Sequence, residues 1–347
     1  MTRPYALLRA GFPYLKTLGE FKRMHFPADI AVGEDGRLYT FGYGSNYGKG
    51  KSGPIFITNM DDENLGSFGW RVDNLPAHDA SFMWPCQMVL DSKGNLFTSD
   101  LACHRISKFT TEGEFLGKWG EYGADDGQFN RPSGIAFDAE DDIYVVDTLN
   151  HRVEKFTKDG RFLMKWGSFG RGPGEFDTPW GITIDDLGDV YVADWRNDRI
   201  QKFTADGEFI YQFGTSGSGD GEFRRPSGIA VDKDGDVYVC DWGNNRVQLF
   251  TADGRYVQQF LGDATLSVST VERMFQRSGR HKRMRDLANL EQEKRFARPR
   301  SVRVDGQGHM FVPDYEHYRV QVYKKEAYPL DENEIIPPFR VPTLDAN

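Results

Sequence analysis

The chain has 347 residues, of which 39% are hydrophobic and 14% aromatic, so it is long enough to bury a large core. Its formal net charge of −9 argues against a nucleic-acid-binding body and against binding to an anionic membrane surface. The three cysteines, Cys86, Cys103 and Cys240, have no C-x-x-C spacing and indicate neither a disulfide framework nor a zinc knuckle. No apolar signal core and no run of about 18 apolar residues is present, so we expect a soluble cytoplasmic protein with no membrane contact.

A repeated unit of 47 residues occupies the middle of the chain. The stretch Gly127-Gln-Phe-Asn-Arg-Pro-Ser-Gly-Ile-Ala-Phe-Asp138 returns, with small changes, from Gly174 to Asp185 and from Gly221 to Asp232. Within each unit four short runs of β-branched and aromatic residues alternate with turn residues, which predicts four antiparallel strands. One such sheet cannot bury both of its faces alone. Radial stacking of several sheets solves that problem, so we predict a β-propeller in which each repeat forms one blade.

The repeat can be followed along the chain by a proline, an aspartate fifteen residues later and an arginine five residues after that. The five complete sets are Pro85, Asp100 and Arg105; Pro132, Asp147 and Arg152; Pro179, Asp194 and Arg199; Pro226, Asp241 and Arg246; Pro299, Asp314 and Arg319. A sixth copy begins at Pro27, with Gly42 and Tyr47 in place of the aspartate and the arginine. We therefore predict an all-β, six-bladed propeller that forms a single domain over residues 1–347.

The two ends of the chain complete each other in this scheme. Only three strands follow Pro299, and residues 324–347 form a charged, proline-containing tail. Residues 14–19 match residues 162–167 in their position relative to the next proline-led strand. We predict that they pair beside residues 318–323 as the outer strand of the last blade, which would remove a free sheet edge.

The loops that begin at the repeated aspartates carry a family resemblance. Asp147-Thr-Leu-Asn-His-Arg-Val153, Asp194-Trp-Arg-Asn-Asp-Arg-Ile200 and Asp241-Trp-Gly-Asn-Asn-Arg-Val247 resemble the NHL repeat, whose members fold as six-bladed propellers. The resemblance extends over roughly residues 12–323. The resemblance implies the fold but no single function, because NHL propellers include RNA-binding platforms, protein-binding platforms, sensor domains and one class of amidating lyase.

Function is expected where the repeats differ. The repeated aspartate and arginine are expected to hold the loop between the second and third strands of a blade. Three long loops, at residues 42–54, 70–84 and 263–298, all open on the face that carries the entry loops to the blades; we name it the divergent face. The third insertion predicts two helices joined at Ser278-Gly279, with a net charge of +4. They are either a basic lid over an anionic or polar ligand or an ordinary solvated surface.

We predict that this face binds a small molecule, a peptide or a protein partner, through aromatic residues and one arginine. The expected floor of the site is Cys86, Trp180 and Arg300, and its expected walls are Tyr43, Trp84, Trp195, Trp242, Tyr315 and His317. Arg300 is either the anchor for a carboxylate or phosphate or the partner of a neighbouring aspartate.

An enzymatic alternative follows from the resemblance. In the amidating lyases of the family, three histidines at the starts of innermost strands hold a zinc ion, whereas Cys86, Trp180 and Arg300 occupy those places here. We therefore predict no amidation by that mechanism, and we expect no cofactor. A remodelled metal-assisted lyase or hydrolase, with zinc or calcium held by His78, Cys86 and His317, remains an alternative with unknown catalytic residues. We do not expect nucleic acid as a partner, because the body is acidic.

Overall fold

The computed structural model describes residues 8–19, 26–43, 52–69, 81–265 and 290–329. These residues form six four-stranded antiparallel sheets, so the predicted all-β, six-bladed propeller is confirmed. Blade 1 contains β3 (Pro27–Val32), β4 (Leu38–Tyr43), β5 (Ser52–Thr58) and β6 (Asn64–Phe68), and blade 2 contains β7 (Pro85–Leu90), β8 (Leu96–Asp100), β9 (Arg105–Phe109) and β10 (Phe115–Trp119). Blade 3 contains β11 (Pro132–Phe137), β12 (Asp142–Asp147), β13 (Arg152–Thr157) and β14 (Phe162–Trp166), and blade 4 contains β15 (Pro179–Ile184), β16 (Val190–Asp194), β17 (Arg199–Phe203) and β18 (Phe209–Phe213). Blade 5 contains β21 (Pro226–Val231), β22 (Val237–Asp241), β23 (Arg246–Phe250) and β24 (Tyr256–Phe260), and blade 6 contains β25 (Arg303–Val304), β26 (His309–Asp314), β27 (Arg319–Lys324) and the N-terminal strand β2 (Tyr14–Leu18).

Blade 6 is built from both ends of the chain, as predicted. Strand β2 pairs antiparallel with β27, with Tyr14 opposite Tyr323 and Leu18 opposite Val320. A second ribbon was not predicted. Strand β1 (Leu8–Gly11) pairs with β28 (Glu326–Pro329), so the first residues of the C-terminal tail form a strand.

The remaining described elements are short. Strands β19 (Thr215–Ser216) and β20 (Glu222–Phe223) form a small parallel pair, and 3-10 turns span Thr148–Asn150, Trp242–Asn244 and Tyr315–His317. One α-helix of five residues, Leu290–Lys294, precedes blade 6. Most of the three predicted insertions, including the junction at Ser278-Gly279, lie outside the described residues. No helix within the described ranges is long and apolar enough to cross a membrane.

The hydrophobic core lies between neighbouring blades. Tyr144 and Val146 of blade 3, for example, share one buried cluster with Ile182 and Val192 of blade 4. The innermost strands also approach each other very closely. A Cβ atom added to Gly181 would lie 2.2 Å from the Ser227 carbonyl oxygen, so only glycine fits there. This contact packs the inner edges of blades 4 and 5 against each other.

The repeated aspartate and arginine hold the loop between the second and third strands, as expected, and they also hold the loop that enters the blade. In blade 4, Asp194 accepts a hydrogen bond from the Asp177 backbone N–H at 2.8 Å and one from Arg199 Nε at 2.8 Å. The equivalent Asp147 and Asp241 accept the corresponding bonds in blades 3 and 5. All three carboxylates are fully buried, and burial raises their pKa values. The network therefore fixes the loop that leads to each blade.

A second repeated ion pair is completed by a distant residue. In blades 3 and 4 a lysine of the third strand pairs with the aspartates of the first turn, as Lys202 does with Asp185 at 3.1 Å and Asp189 at 2.8 Å. In the third strand of blade 5, Leu249 stands in the place of this lysine, opposite Tyr238 of the second strand. Lys325, which follows β27, supplies the ammonium group instead and contacts Asp232, Asp234 and Asp236 at 2.6 to 2.8 Å.

Blade 3 departs from its neighbours at one buried position. Gln201 of blade 4 accepts a hydrogen bond from the Gly174 N–H at 2.9 Å and donates one to the Glu175 carbonyl oxygen at 2.8 Å. Glu154 holds this place in blade 3, where it is fully buried. Its Oε1 accepts the Gly127 N–H at 3.4 Å, but its Oε2 has no hydrogen-bond partner. Burial, the largest influence, raises the pKa of Glu154 to about 7.

We expect Glu154→Gln to stabilise the protein at pH 8 by about 3 kcal/mol, and by much less at pH 4. The folded state raises the pKa of this carboxyl above its unfolded value, so ionisation removes stability as the pH rises from about 4.5 to about 7. The amide carries no charge and can donate the bond that Gln201 donates. Urea unfolding from pH 4 to pH 8 measures the difference.

The reciprocal variant is the control for this prediction. Gln201→Glu should introduce in blade 4 the loss of stability with rising pH that Glu154→Gln removes from blade 3. Parallel pH profiles for the wild type and Glu154→Gln would contradict the expected role of this carboxyl.

Candidate ligand-binding site

A cavity of about 530 Å³ lies at the centre of the divergent face. Two kinds of residue form it, those beside the marker prolines and those that follow the repeated aspartates, and blades 2 to 6 all contribute. Its lining residues are Trp84, Leu101, Arg131, Thr148, Leu149, Thr178, Trp180, Trp195, Ser227, Trp242, Arg298, Arg300 and Tyr315. The volume is in the range of small-molecule sites.

The backbone before the marker prolines has an unusual conformation that places side chains at the rim. Arg131, Thr178, Arg225 and Arg298 all have φ values between 55° and 61° although each precedes a proline. Such left-handed residues other than glycine are uncommon and cost about 1 to 3 kcal/mol. The surrounding structure must therefore hold them in place.

A hydrogen bond from the preceding blade stabilises each of these residues. The acceptor is His104 Nδ1 for the Arg131 N–H at 3.1 Å, and Asp198 Oδ1 for the Arg225 N–H at 2.7 Å. Burial and the positive charge of Arg131 lower the pKa of His104, which favours the neutral ring that can accept this bond. The rim is therefore positioned by contacts between blades.

Arginines lie over the indole rings of this face. The guanidinium carbon to ring-centroid distances are 6.0 Å for Arg131 and Trp84, 4.7 Å for Arg225 and Trp195, and 5.0 Å for Arg298 and Trp242. The rings of Trp180, Trp195 and Trp242 follow one another at centroid distances of 6.3 and 6.4 Å. The result is a row of aromatic rings covered by cations, an arrangement that is favourable for both partners.

Arg300 is placed deeper in the cavity. Its guanidinium carbon lies 5.5 Å from the Trp180 ring centroid and 5.0 Å from that of Tyr315, and the residue is half-buried. Cys86 lies nearby but is buried; burial raises the pKa of its thiol to about 12, and the charge of Arg300 only partly opposes this rise. This thiol is therefore neutral and unreactive at neutral pH.

The charge of the cavity is positive. The lining residues that the structure describes include three arginines and no carboxylate. Arg298 forms an exposed ion pair with Glu316 at 3.1 Å, which screens it only weakly. Arg131 has no carboxylate partner among the described residues. The site can therefore receive an anion, although the chain as a whole is acidic.

The structure brings together six of the nine residues predicted for the site. Trp84, Trp180, Trp195, Trp242, Arg300 and Tyr315 all line the cavity. Cys86 is buried and is not a lining residue. Tyr43 ends strand β4, but its side chain lies outside the described part of the structure.

His317 is placed differently from the expectation. Its Nδ1 lies 3.2 Å from Asp314 Oδ2 and 3.3 Å from Arg319 Nη2, and it does not line the cavity. In blade 4 the carboxamide of Asn197 binds the repeated aspartate from the same position, three residues after it. The imidazole of His317 takes over this structural contact in blade 6.

Two of the three residues considered as metal ligands, Cys86 and His317, have other roles in the described structure. Among the described residues, no three His, Cys, Asp or Glu side chains are grouped as a metal ion requires. His317 binds Asp314, and the Cys86 thiol is protonated. His78 lies outside the described residues, so the set of His78, Cys86 and His317 is not tested.

Arg131 and Arg298 were not predicted as site residues, but they also line the cavity. The signal was present, since arginine directly precedes the marker proline at Arg131, Arg225 and Arg298. It could not be interpreted from the sequence, because a residue before proline normally has an extended backbone that would place its side chain elsewhere.

These features define a six-bladed β-propeller with a tryptophan- and arginine-lined cavity at the centre of one face. The NHL repeat model matches residues 129–156, 176–203 and 223–250, which lie in blades 3, 4 and 5. Blades 3, 4 and 5 of this propeller therefore contain NHL repeats, as their loops suggested. No curated protein matches its sequence.

Solved structures with similar folds have low sequence identity to this chain. A catalytically inactive virginiamycin B lyase from Staphylococcus aureus, bound to quinupristin, is 16% identical with a TM-score of 0.55, covering 94% of this chain and 90% of that one. A gluconolactonase from Xanthomonas campestris is 13% identical with a TM-score of 0.59 and 89% coverage of both chains. A protein of unknown function from Bacteroides thetaiotaomicron is 16% identical with a TM-score of 0.62, covering 92% of this chain and 76% of that one. At these identities the similarity shows the fold alone.

Proposed function

We propose that this propeller binds an organic anion with an apolar, ring-containing body in the cavity of the divergent face. The observation that carries the proposal is the position of Arg300 between Trp180 and Tyr315. A guanidinium in this position can form two charge-assisted hydrogen bonds with the oxygens of a carboxylate, sulfonate or phosphate.

The surrounding rings supply the second half of this recognition. Trp180, Trp195 and Trp242 follow one another as a row of indole rings that can contact the apolar body of a ligand. A hydrogen bond to a charged group in such a site contributes about 1.5 to 3 kcal/mol, and each 1.4 kcal/mol changes affinity about tenfold. The charged group of the ligand should therefore have a measurable effect that is separate from its apolar body.

Binding, without catalysis, is the activity that the described lining residues support. None of them is a His, Cys, Asp, Glu or Lys. Three of the four hydroxyl groups in the lining already donate hydrogen bonds within the protein: Thr148 Oγ1 to Ser133 Oγ at 2.6 Å, Thr178 Oγ1 to Asp177 Oδ1 at 2.9 Å, and Ser227 Oγ to the Pro299 carbonyl oxygen at 3.3 Å. A lyase or hydrolase activity, which the names of the similar folds suggest, would need catalytic groups from the residues outside the described ranges.

Two fluorescent probes that differ only in charge test the proposal. 8-Anilinonaphthalene-1-sulfonate is an aromatic anion, and N-phenyl-1-naphthylamine is the same ring system without the sulfonate. We expect Arg300→Met to weaken binding of the anion by roughly 10- to 100-fold and to leave binding of the neutral probe within about twofold. Trp180→Ala should weaken both probes. Fluorescence titration of each variant measures these affinities.

Arg161→Met is the matched control, since Arg161 lies in the turn between β13 and β14 on the opposite face. It should leave both affinities unchanged. Equal weakening of the two probes by Arg300→Met would mean that this guanidinium only supports packing. If Arg161→Met abolished binding, the binding site would lie on the opposite face of the propeller and not in this cavity.

A further inference from the structure

A second group of arginines lies beside the cavity, over blades 4 and 5. Arg171, Arg196, Arg224 and Arg225 are all exposed. A depression of about 420 Å³ is lined by Arg196, Arg224 and Arg225 together with Asp177 and Asp198. A neighbouring depression of about 330 Å³ is lined by Arg171 and again by Arg196. We name these two joined depressions the arginine groove.

The groove is continuous with the cavity. Arg225 lines the groove, and its guanidinium carbon lies 4.7 Å from the ring centroid of Trp195, which lines the cavity. Arg196 follows Trp195 directly in the chain. A ligand can therefore extend from the row of indole rings into the groove.

The charges of the groove are available for a ligand. Within the described residues, no salt bridge joins the guanidinium groups of Arg171, Arg196, Arg224 and Arg225 to a carboxylate. The two aspartates of the groove already have local partners: Asp198 binds the Arg225 N–H and Ser216 Oγ, and Asp177 accepts the Thr178 hydroxyl at 2.9 Å. Exposed arginines gathered in this way on a chain of net charge −9 indicate a site for negative charges.

We propose that the ligand of this face is an acidic peptide segment that is bound along the cavity and the arginine groove. This inference rests on the proposed function of the cavity and extends it. An aromatic side chain with a nearby carboxylate occupies the cavity at Arg300, and the adjacent aspartate or glutamate side chains bind the guanidinium groups of the groove. Arginine forms planar, two-bonded contacts with carboxylates, which suits this partner.

The structure favours a peptide over a single-stranded nucleic acid. Stacked bases need open aromatic faces. Here guanidinium groups already cover Trp84, Trp195 and Trp242. In addition, two aspartates lie among the groove arginines and the whole chain is acidic, both of which repel a dense row of phosphates.

Three probes test the proposal by isothermal titration calorimetry. N-acetylphenylalanine fills the cavity alone, the peptide Asp-Glu-Asp-Glu-Phe also reaches the groove, and Asn-Gln-Asn-Gln-Phe has the same length without the acidic side chains. We expect the acidic peptide to bind at least about tenfold more tightly than the neutral peptide at low salt, with the advantage falling as salt is added. The double variant Arg196→Gln, Arg224→Gln should remove that advantage and leave N-acetylphenylalanine binding unchanged.

The outcomes separate this inference from the proposed function. Arg161→Gln on the opposite face is the control and should change none of the three affinities. If N-acetylphenylalanine binds and responds to Arg300→Met while the two peptides bind equally, the groove proposal is wrong and the cavity proposal stands. If N-acetylphenylalanine does not bind, the proposed function of the cavity is wrong, independently of the peptide results.

A uridine oligonucleotide that binds more tightly than the acidic peptide, and whose binding depends on Arg196 and Arg224, would overturn the peptide assignment. The groove arginines are exposed, so unchanged thermal unfolding should verify that the double variant is folded.

Discussion

Removal of residues 1–19 is expected to lower the free energy of unfolding by about 5 kcal/mol or more, because it deletes the outer strand of blade 6. Strand β2 pairs with β27 and contributes Leu18 to the buried cluster between blades 6 and 1. The same deletion removes Phe12, whose ring contacts Tyr238 and Phe260 at centroid distances of 6.2 and 5.2 Å. Without β2, strand β27 becomes a free edge that can pair with another chain. Urea unfolding and the concentration dependence of light scattering measure both effects.

Two point variants in the same strand provide a matched control. Leu18 is 2% exposed and Leu15 is 42% exposed. Leu18→Ala should cost about 3 kcal/mol, whereas Leu15→Ala should cost less than about 1 kcal/mol.

Closure of the propeller by β2 can also be tested by adding this strand back as a peptide. A synthetic peptide of residues 8–19 should raise the thermal stability of the truncated protein in a concentration-dependent way, because binding to the folded state stabilises it. A truncated protein that is as stable as the full chain, and that ignores the peptide, would show that β2 does not close the ring.

Arg199→Ala is expected to destabilise the protein by about 3 to 5 kcal/mol at pH 7, since it breaks a buried ion pair from one side. Arg199 binds Asp194 and also donates to the carbonyl oxygens of Arg171, Gly172 and Glu175 at 2.7 to 2.8 Å. The variant removes these hydrogen bonds and leaves the Asp194 carboxylate without its counter-charge.

The loss should depend on pH in a defined direction. Burial already raises the pKa of Asp194, and removal of Arg199 raises that pKa further. A carboxyl whose folded pKa is raised destabilises the protein as the pH rises above its unfolded value of about 3.9. We therefore expect a larger loss at pH 8 than at pH 4.

Arg161→Ala, at an exposed turn, is the control and should change stability by less than about 0.5 kcal/mol. A loss for Arg199→Ala no larger than that of Arg161→Ala would contradict the structural role of the repeated arginine.

The sequence by itself determined the architecture of this protein. The signals for the fold lie within single blades, so they can be read along the chain. They are the 47-residue period, the alternation of strand and turn residues, and the proline, aspartate and arginine markers. The pairing of β2 with β27 could also be predicted, because a blade with three strands at one end and an unused strand at the other has one simple completion. Six of the nine residues expected at the site line the cavity.

Only the tertiary structure decided how the blades contact each other. His104 fixes the backbone of Arg131 in the next blade, Arg300 lies over Trp180 two blades away, and Lys325 replaces the lysine that blade 5 lacks. The direction of a rim side chain depends on a left-handed backbone that the following proline would normally disfavour. Such contacts join residues that are far apart in the chain, and no local pattern encodes them. His317 is a different case, because its contact with Asp314 is local: it lies three residues after the aspartate, where Asn150, Asn197 and Asn244 bind the repeated aspartates of blades 3 to 5.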